Sequence, residues 1–227
     1  MTKLYMNLKT QQVIERVYDE VPENPREWDN LGTFYTWEDR SYSPDNHSYS
    51  DPLEFLSELL SEETVYKVHD KYNNTAAFMN DIMNRLDKKG YILYPVSKYE
   101  HGNVDYSIGC KQGWDSGTVG FIFATKKKIY ECYGVNRLTG LIRNKVINEF
   151  KNELKTYTSY ANGQVYGFIL EDLQGNQVDS CYGFYDYHLS LKELGYEFAI
   201  SDLNNWEEYD QNKLNGKFDI YTQTVKL

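Results

Sequence analysis

Disulfide pairs, membrane-length apolar runs and an excess of positive charge are all missing from this chain. Its three cysteines, Cys110, Cys132 and Cys181, form no CxxC pair, and no histidine stands at metal-ligand spacing from them. That argues against a disulfide framework and a zinc site, and it points to a reducing compartment. No apolar run reaches bilayer length, and the opening "MTKLYMNLKTQQV" lacks the continuous apolar core of a signal peptide. The expectation is a cytoplasmic protein without membrane contact, cofactor or metal. Lys and Arg number 24 against 34 Asp and Glu, a net charge of −10, which disfavours direct binding of DNA or RNA. There is no GxSxG elbow and no phosphate loop at a helix start.

Aromatic side chains are plentiful. With 227 residues, 41% hydrophobic and 16% aromatic, the chain has enough apolar surface for one ordinary core. The 22 tyrosines suit half-buried sheet faces or an exposed binding face, since each ring carries a polar tip. Charge is segregated along the chain. Residues 15–63 carry 14 acidic and 3 basic side chains, a net of −11, while residues 126–155 carry 8 basic and 3 acidic, a net of +5. Such blocks make a molecule dipolar if they lie apart and self-neutralising if they pack together.

Periodicity predicts an α+β fold: a single domain over 1–227 with a mainly antiparallel sheet and about three helices packed on it. "LYMNLKTQQVIERVYDEV" alternates like one or two strands, and "PENPREWDNLG" is a structured loop. "RSYSPDNHSYSDP" has almost no aliphatic side chain and reads as a mobile acidic loop near 40–52. "DPLEFLSELLSEE" reads as one helix capped by Asp51, and "NTAAFMNDIMNRLDKKG" as a second. "YILYPVSKY" is a strand with Pro95 at an edge or bulge, and "TVGFIFATKK" is a buried strand in which Gly120 admits another backbone. The longest helix runs through "LTGLIRNKVINEFKNELKTYTSYANG" with a Leu141, Val146, Phe150 and Leu154 stripe. A hairpin turning at Gly175-Asn176 follows, then a helix-like "HLSLKELG" and a final strand "KFDIYTQTV". "TVGFIF", "VYGFIL" and "CYGFYD" read as three strands sharing one crowded sheet face.

Candidate chemistry gathers in polar loops. In "GWDSGTVG", Asp115 and Ser116 read first as turn residues, with Gly117 taking a positive φ. A catalytic reading needs a base in reach of them, and His101 is the nearest in sequence. Cys181 reads as an inert buried thiol. Glu54, Glu58 and Glu62 are spaced to project a line of negative charge from one helix, suited to a basic, nucleic-acid-binding protein whose groove accepts carboxylates in place of phosphates.

"PREWDNLGTF", "WDSGTVGFIF", "LKTYTSYANGQVYGF" and "DSCYGFYD" occur in that order. Together they resemble a family of bacteriophage and mobile-element proteins carrying WDNLG, WDSGxVGFI and DSCxGF motifs, to which no reaction is assigned. The family's "YDHSG" pattern before the second motif is replaced by "KYEHGN", which keeps His101 and Gly102. The resemblance implies an accessory protein acting against host restriction or CRISPR machinery. Two functions follow as expectations. The first is a non-enzymatic inhibitor that binds a basic host protein through Glu54, Glu58 and Glu62, with Trp28, Asp29, Asn30 and Trp114 as further binding residues. The second is a small hydrolase or small-molecule-sequestering protein with a pocket of Asp29, Asn30, His101, Asp115 and Ser116.

Overall fold

The computed structural model describes residues 2–38, 42–186 and 189–213. Its strands are β1 (Thr2–Asn7), β2 (Gln12–Tyr18), β3 (Thr33–Thr36), β4 (Tyr91–His101), β5 (Asn103–Ile108), β6 (Ser116–Thr125), β7 (Tyr166–Asp172), β8 (Gln177–Phe184) and β9 (Trp206–Glu208). Its helices are α1 (Pro52–Leu59), α2 (Glu62–Lys71), α3 (Thr75–Lys88), α4 (Lys126–Tyr133), α5 (Gly140–Ala161) and α6 (Leu191–Glu197). The protein is α+β with antiparallel sheets, as expected. The chain divides into two compact units: the residues up to Glu23 with those from Gly163 onward, and Asn24–Asn162.

The first unit is a five-stranded sheet ordered β8-β7-β2-β1-β9. Ile14, Phe168 and Leu170 on the sheet pack with Leu194 and Phe198 at α6 and with Trp206 of β9. The β7–β8 turn forms where expected, with Gly175 at φ 83°. A Cβ on Gly167 would fall 2.2 Å from the Tyr182 ring, so this glycine does make room for an aromatic neighbour. Gly120, however, belongs to a different sheet, so the three Gly-Phe segments share no single face. The acidic "SDLNNWEEYD" contributes β9 because Trp206 is buried. The expected strand "KFDIYTQTV" lies outside the described residues.

The second unit is a four-stranded sheet ordered β3-β6-β4-β5 with helices on both faces. Ile129 of α4 and Ile142, Val146, Phe150 and Leu154 of α5 cover one face through Ile92, Val96 and Ile122. Phe55, Leu56, Val65, Val68, Phe78 and Ile82 of α1–α3 cover the other through Leu93 and Phe121. The sheet alternates between the two cores because successive strand residues point to opposite faces. A Cβ on Gly120 would fall 1.9 Å from Tyr35 O, which is the close backbone approach its position in a strand suggests. Pro95 precedes a register shift between Val96 and Ser97. Two expected helices need correcting. "DPLEFLSELLSEE" breaks at Leu60–Ser61 into α1 and α2, and Leu141 is 68% exposed while its neighbour Ile142 takes the core position.

Both outer strands of this sheet are covered by side chains, which blocks further strand pairing. Asn162 on α5 accepts from Val104 N–H at 2.8 Å and donates to Val104 O at 2.8 Å, and Thr158 Oγ1 accepts from Tyr106 N–H at 3.1 Å. Along β3 the polar loop does the same. Asp45 N–H donates to Phe34 O, Ser43 Oγ accepts from Thr36 N–H, and Trp37 Nε1 donates to Tyr49 O. The loop read as mobile near 40–52 is thus tied at several points over residues 43–49, and residues 40 and 41 lie outside the described residues.

Candidate functional site

Trp114 and Asp115 occupy the tip of a tight turn between Gly113 and Ser116, whose backbones bond in both directions at 3.1 and 3.4 Å. The turn presents the Trp114 indole fully to solvent at 102% exposure. His101, at the end of β4, lies beside it, with Nδ1 3.6 Å from Asp115 Oδ2 and a side chain 76% exposed. Glu100 N–H donates to Asp115 O at 2.9 Å, and Tyr99 stacks against His101 with ring centroids 6.5 Å apart. Among the described residues no hydrogen bond joins Ser116 Oγ to His101. Gly117 lies inside β6 opposite Lys98 and not at a positive φ, contrary to the turn expected there. An imidazole and carboxylate standing in water at this distance interact weakly, and a nucleophilic hydroxyl needs its base in hydrogen-bond reach. His101, Asp115 and Ser116 are neighbours, but they do not form an activated dyad or triad.

Trp28, Asp29 and Asn30 are elsewhere. They follow a 3-10 turn, Pro25–Glu27, capped by Asn24. Asn30 Nδ2 donates to Pro25 O at 2.7 Å and Trp28 O at 3.1 Å, which makes it a brace of its own loop. β3 pairs with β6 through Thr33↔Phe123, so this loop sits beyond the Phe123 end of β6, where Lys128 Nζ donates to Asn30 O. Ser116 is at the other end of β6, about 24 Å away at about 3.4 Å per residue. The pocket that would join Asp29 and Asn30 to His101, Asp115 and Ser116 does not form.

The "PREWDNLGTF" string is instead organised by Arg26, a residue the sequence did not single out. Its guanidinium is 3% exposed and makes a fork with Asp45, Nε to Oδ1 at 3.0 Å and Nη2 to Oδ2 at 2.7 Å. Nη1 reaches Glu153 Oε2 of α5 at 3.1 Å, and Nη2 also donates to Gly32 O at 2.6 Å. Glu153 accepts from Gly32 N–H at 2.9 Å, and Asp45 from Phe34 N–H at 2.6 Å. Burial pushes the Glu153 carboxyl up, while the Gly32 N–H and Arg26 pull it back. This cluster locks the loop to β3 and α5, and every group in it is already partnered within the fold.

A different surface gathers exposed carboxylates. Asp51, Glu54, Glu58 and Glu62 line one groove with Ser50, Ser57 and Tyr66. The three glutamates do not share a helix, since Glu62 opens α2, yet the α1–α2 corner brings them together. Asp51 caps α1 by accepting from Leu53 and Glu54 N–H. Ser50 donates to Glu54 through its backbone and hydroxyl and holds that carboxyl below its ordinary range. Among the described residues no Lys or Arg lines the groove. A wider cavity of about 760 Å³ adjoins it at Asp51, with an apolar side made by Leu53, Tyr72 and Phe78.

Comparison with protein-family models, curated proteins and solved structures finds no match. Among the described residues no three His, Cys, Asp or Glu side chains converge on one point. Burial, with Glu197 and Asp179 nearby, pushes the Cys181 thiol up to about 11, which makes it a poor nucleophile at neutral pH. No helix among the described residues is long and apolar enough to cross a membrane.

Proposed function

We propose that this chain is a binding protein that docks its α1–α2 face on a basic surface of a host nucleic-acid-processing protein and blocks it. The motif resemblance to mobile-element proteins supplies the setting, host restriction or CRISPR defence. The observation that carries the reading is the groove of Asp51, Glu54, Glu58 and Glu62, which no Lys or Arg lines among the described residues. These side chains stand on the face of the four-stranded sheet opposite the basic α4–α5 layer, so their field is not cancelled locally. Spaced carboxylates of this kind can occupy phosphate positions in a nucleic-acid groove, where complementary charge speeds encounter and fixes register.

The test is expression in bacteria carrying a defined restriction or CRISPR system, scored by plating efficiency of a targeted phage. Wild-type chain should raise plating, and the triple variant Glu54→Lys, Glu58→Lys, Glu62→Lys should abolish the effect while keeping a native melting curve. The partner should co-purify with wild type after nuclease treatment and elute as salt rises. Protection by the triple variant equal to wild type would remove the acidic face from the mechanism.

A further inference from the structure

Among the described residues, three buried polar atoms without hydrogen-bond partners belong to residues that line one cavity along β3. His47 Nε2 lies 3.0 Å from Thr36 O. A carbonyl only accepts, so Nε2 carries a proton, and in the neutral ring Nδ1 keeps its lone pair. Nδ1 is buried without a partner, and so are Glu38 Oε2 and Thr36 Oγ1. Thr36 is only 3% exposed. Thr36, Glu38 and His47 line a single cavity of about 350 Å³ together with Trp37, Ser43 and Tyr42. Buried polar atoms in folded proteins are nearly always paired, so three orphans around one space describe the group that belongs there.

Thr36 Oγ1 can donate as well as accept, but Glu38 Oε2 and the unprotonated His47 Nδ1 only accept, so that group must bring donors. A water brings two protons and takes about 30 Å³. A guanidinium brings five N–H groups in a flat fork. Charge points the same way. Lys98 takes the other oxygen, Glu38 Oε1, at 2.7 Å but is shared with Glu100 Oε2 at 2.8 Å, so Glu38, Lys98 and Glu100 together keep one negative charge. Aromatic faces suit a flat cation: Trp37 packs on His47 with centroids 4.7 Å apart, and Tyr42 stands 98% exposed on the cavity rim. Ser50 borders both this cavity and the acidic groove. We propose that the cavity receives the guanidinium of an arginine from the basic partner, whose other cations lie along Glu54, Glu58 and Glu62. This assignment rests on the docking reading above and names the side chain that would anchor it.

The first arm of the test uses the full chain with ¹⁵N-labelled histidine and methylguanidinium chloride as probe, against matched sodium chloride. The His47 Nδ1 resonance should move saturably as it accepts a hydrogen bond, while His69 and His101 stay in place. Thr36→Val keeps the shape, deletes one orphan and leaves Lys98 paired. It should weaken methylguanidinium binding about tenfold and leave the melting temperature of the free chain unchanged or raised. The second arm uses a lysine-rich peptide containing one arginine. Replacing that arginine with lysine keeps the charge and removes the fork, and should weaken binding to wild type about tenfold but hardly change binding to Thr36→Val.

An Nδ1 resonance that ignores methylguanidinium, with Thr36→Val lowering the melting temperature, would mean that water alone fills the cavity and would overturn the proposal. Equal binding of the arginine and lysine peptides would overturn the partner arginine as the source. The groove variant at Glu54, Glu58 and Glu62 separates the two readings. It should abolish peptide binding yet leave the methylguanidinium response intact. A cavity that fails while the groove variant still loses phage protection would remove this inference alone.

Discussion

Replacing Arg26 with alanine would leave two carboxylates facing one another with side chains only 19% and 5% exposed. Removing one partner of a buried ionic cluster costs about 3–5 kcal/mol, because the charges left behind are neither solvated nor paired. Arg26→Ala should lose about that much in urea denaturation, and Arg26→Lys should recover little, since an ammonium cannot make the fork to Asp45. A loss under about 1 kcal/mol would show that water reaches the cluster. A second carboxylate ties stability to pH. Burial alone would raise the Asp87 carboxyl, but bonds from Arg143 Nη2 at 3.0 Å and Lys126 Nζ at 3.1 Å outweigh it and hold it below its ordinary range. A group depressed in the folded state stabilises above its unfolded value, about pH 3.9 for Asp, and that contribution disappears as pH falls through the folded value. The stability gap between wild type and Asp87→Asn should therefore be constant near neutrality and close on acidification. A gap independent of pH down to acid unfolding would contradict the assignment.

α6 ends in a way its sequence does not advertise. Ile200 N–H donates to Gly195 O at 2.8 Å and Ala199 N–H to Tyr196 O at 3.2 Å, the two bonds of a Schellman cap. The left-handed position is Ala199, at φ 50°, where a Cβ costs about 1 kcal/mol. Ala199→Gly should raise the stability of the first unit by about 0.5–1 kcal/mol, read from thermal or denaturant melts, and a loss would mean that the methyl packs usefully. Local signals of this strength made most elements legible. The Asp51 cap, the Gly175 turn and the long α5 stripe are all local in the chain, whereas Gly120 announced a close backbone approach without saying that it comes from Tyr35 on β3. What stayed hidden is non-local. β2 pairs with β7 across about 150 residues, Tyr18↔Tyr166, and nothing in either strand says that their sheet excludes β6. The buried cluster is hidden for the same reason, since Arg26 and Glu153 are 127 residues apart. α2 was missed because its apolar positions are only Val65 and Val68 amid charge, too sparse a stripe for periodicity to register. The candidate site was half legible: the acidic groove was visible as composition, whereas the convergence imagined for Asp29 and His101 depended on pairings that only the sheet order decides.

Charge is the property that changes most between chain and molecule. The acidic block of 15–63 does not act as one surface, because its first residues belong to the first unit while Asp45 and Glu38 form ion pairs with Arg26 and Lys98. Within Asn24–Asn162, the α1–α2 stretch of residues 51–71 carries a net −4, from 6 acidic and 2 basic side chains, on one face of the sheet. The opposite face carries the net +5 of residues 126–155. The two helical layers are separated by about 20 Å of sheet and helix, more than the Debye length of about 8 Å at physiological ionic strength and less than the roughly 30 Å at 0.01 M. Both cores of this unit draw on its own residues, and its own side chains cover both sheet edges. The segment 24–162 should therefore fold when expressed alone, with a cooperative melt and dispersed amide resonances, and an unfolded spectrum would refute its independence. With 17 basic and 19 acidic side chains its net charge is only −2, so repulsion between copies is weak and the dipole decides. Light scattering should show attraction between copies near 0.01 M salt that vanishes near 0.15 M. Reversing Glu54, Glu58 and Glu62 should abolish the attraction near 0.01 M, because both faces then carry positive charge. Attraction that survives the reversal would mean that apolar contact, and not the segregated charge, brings the copies together.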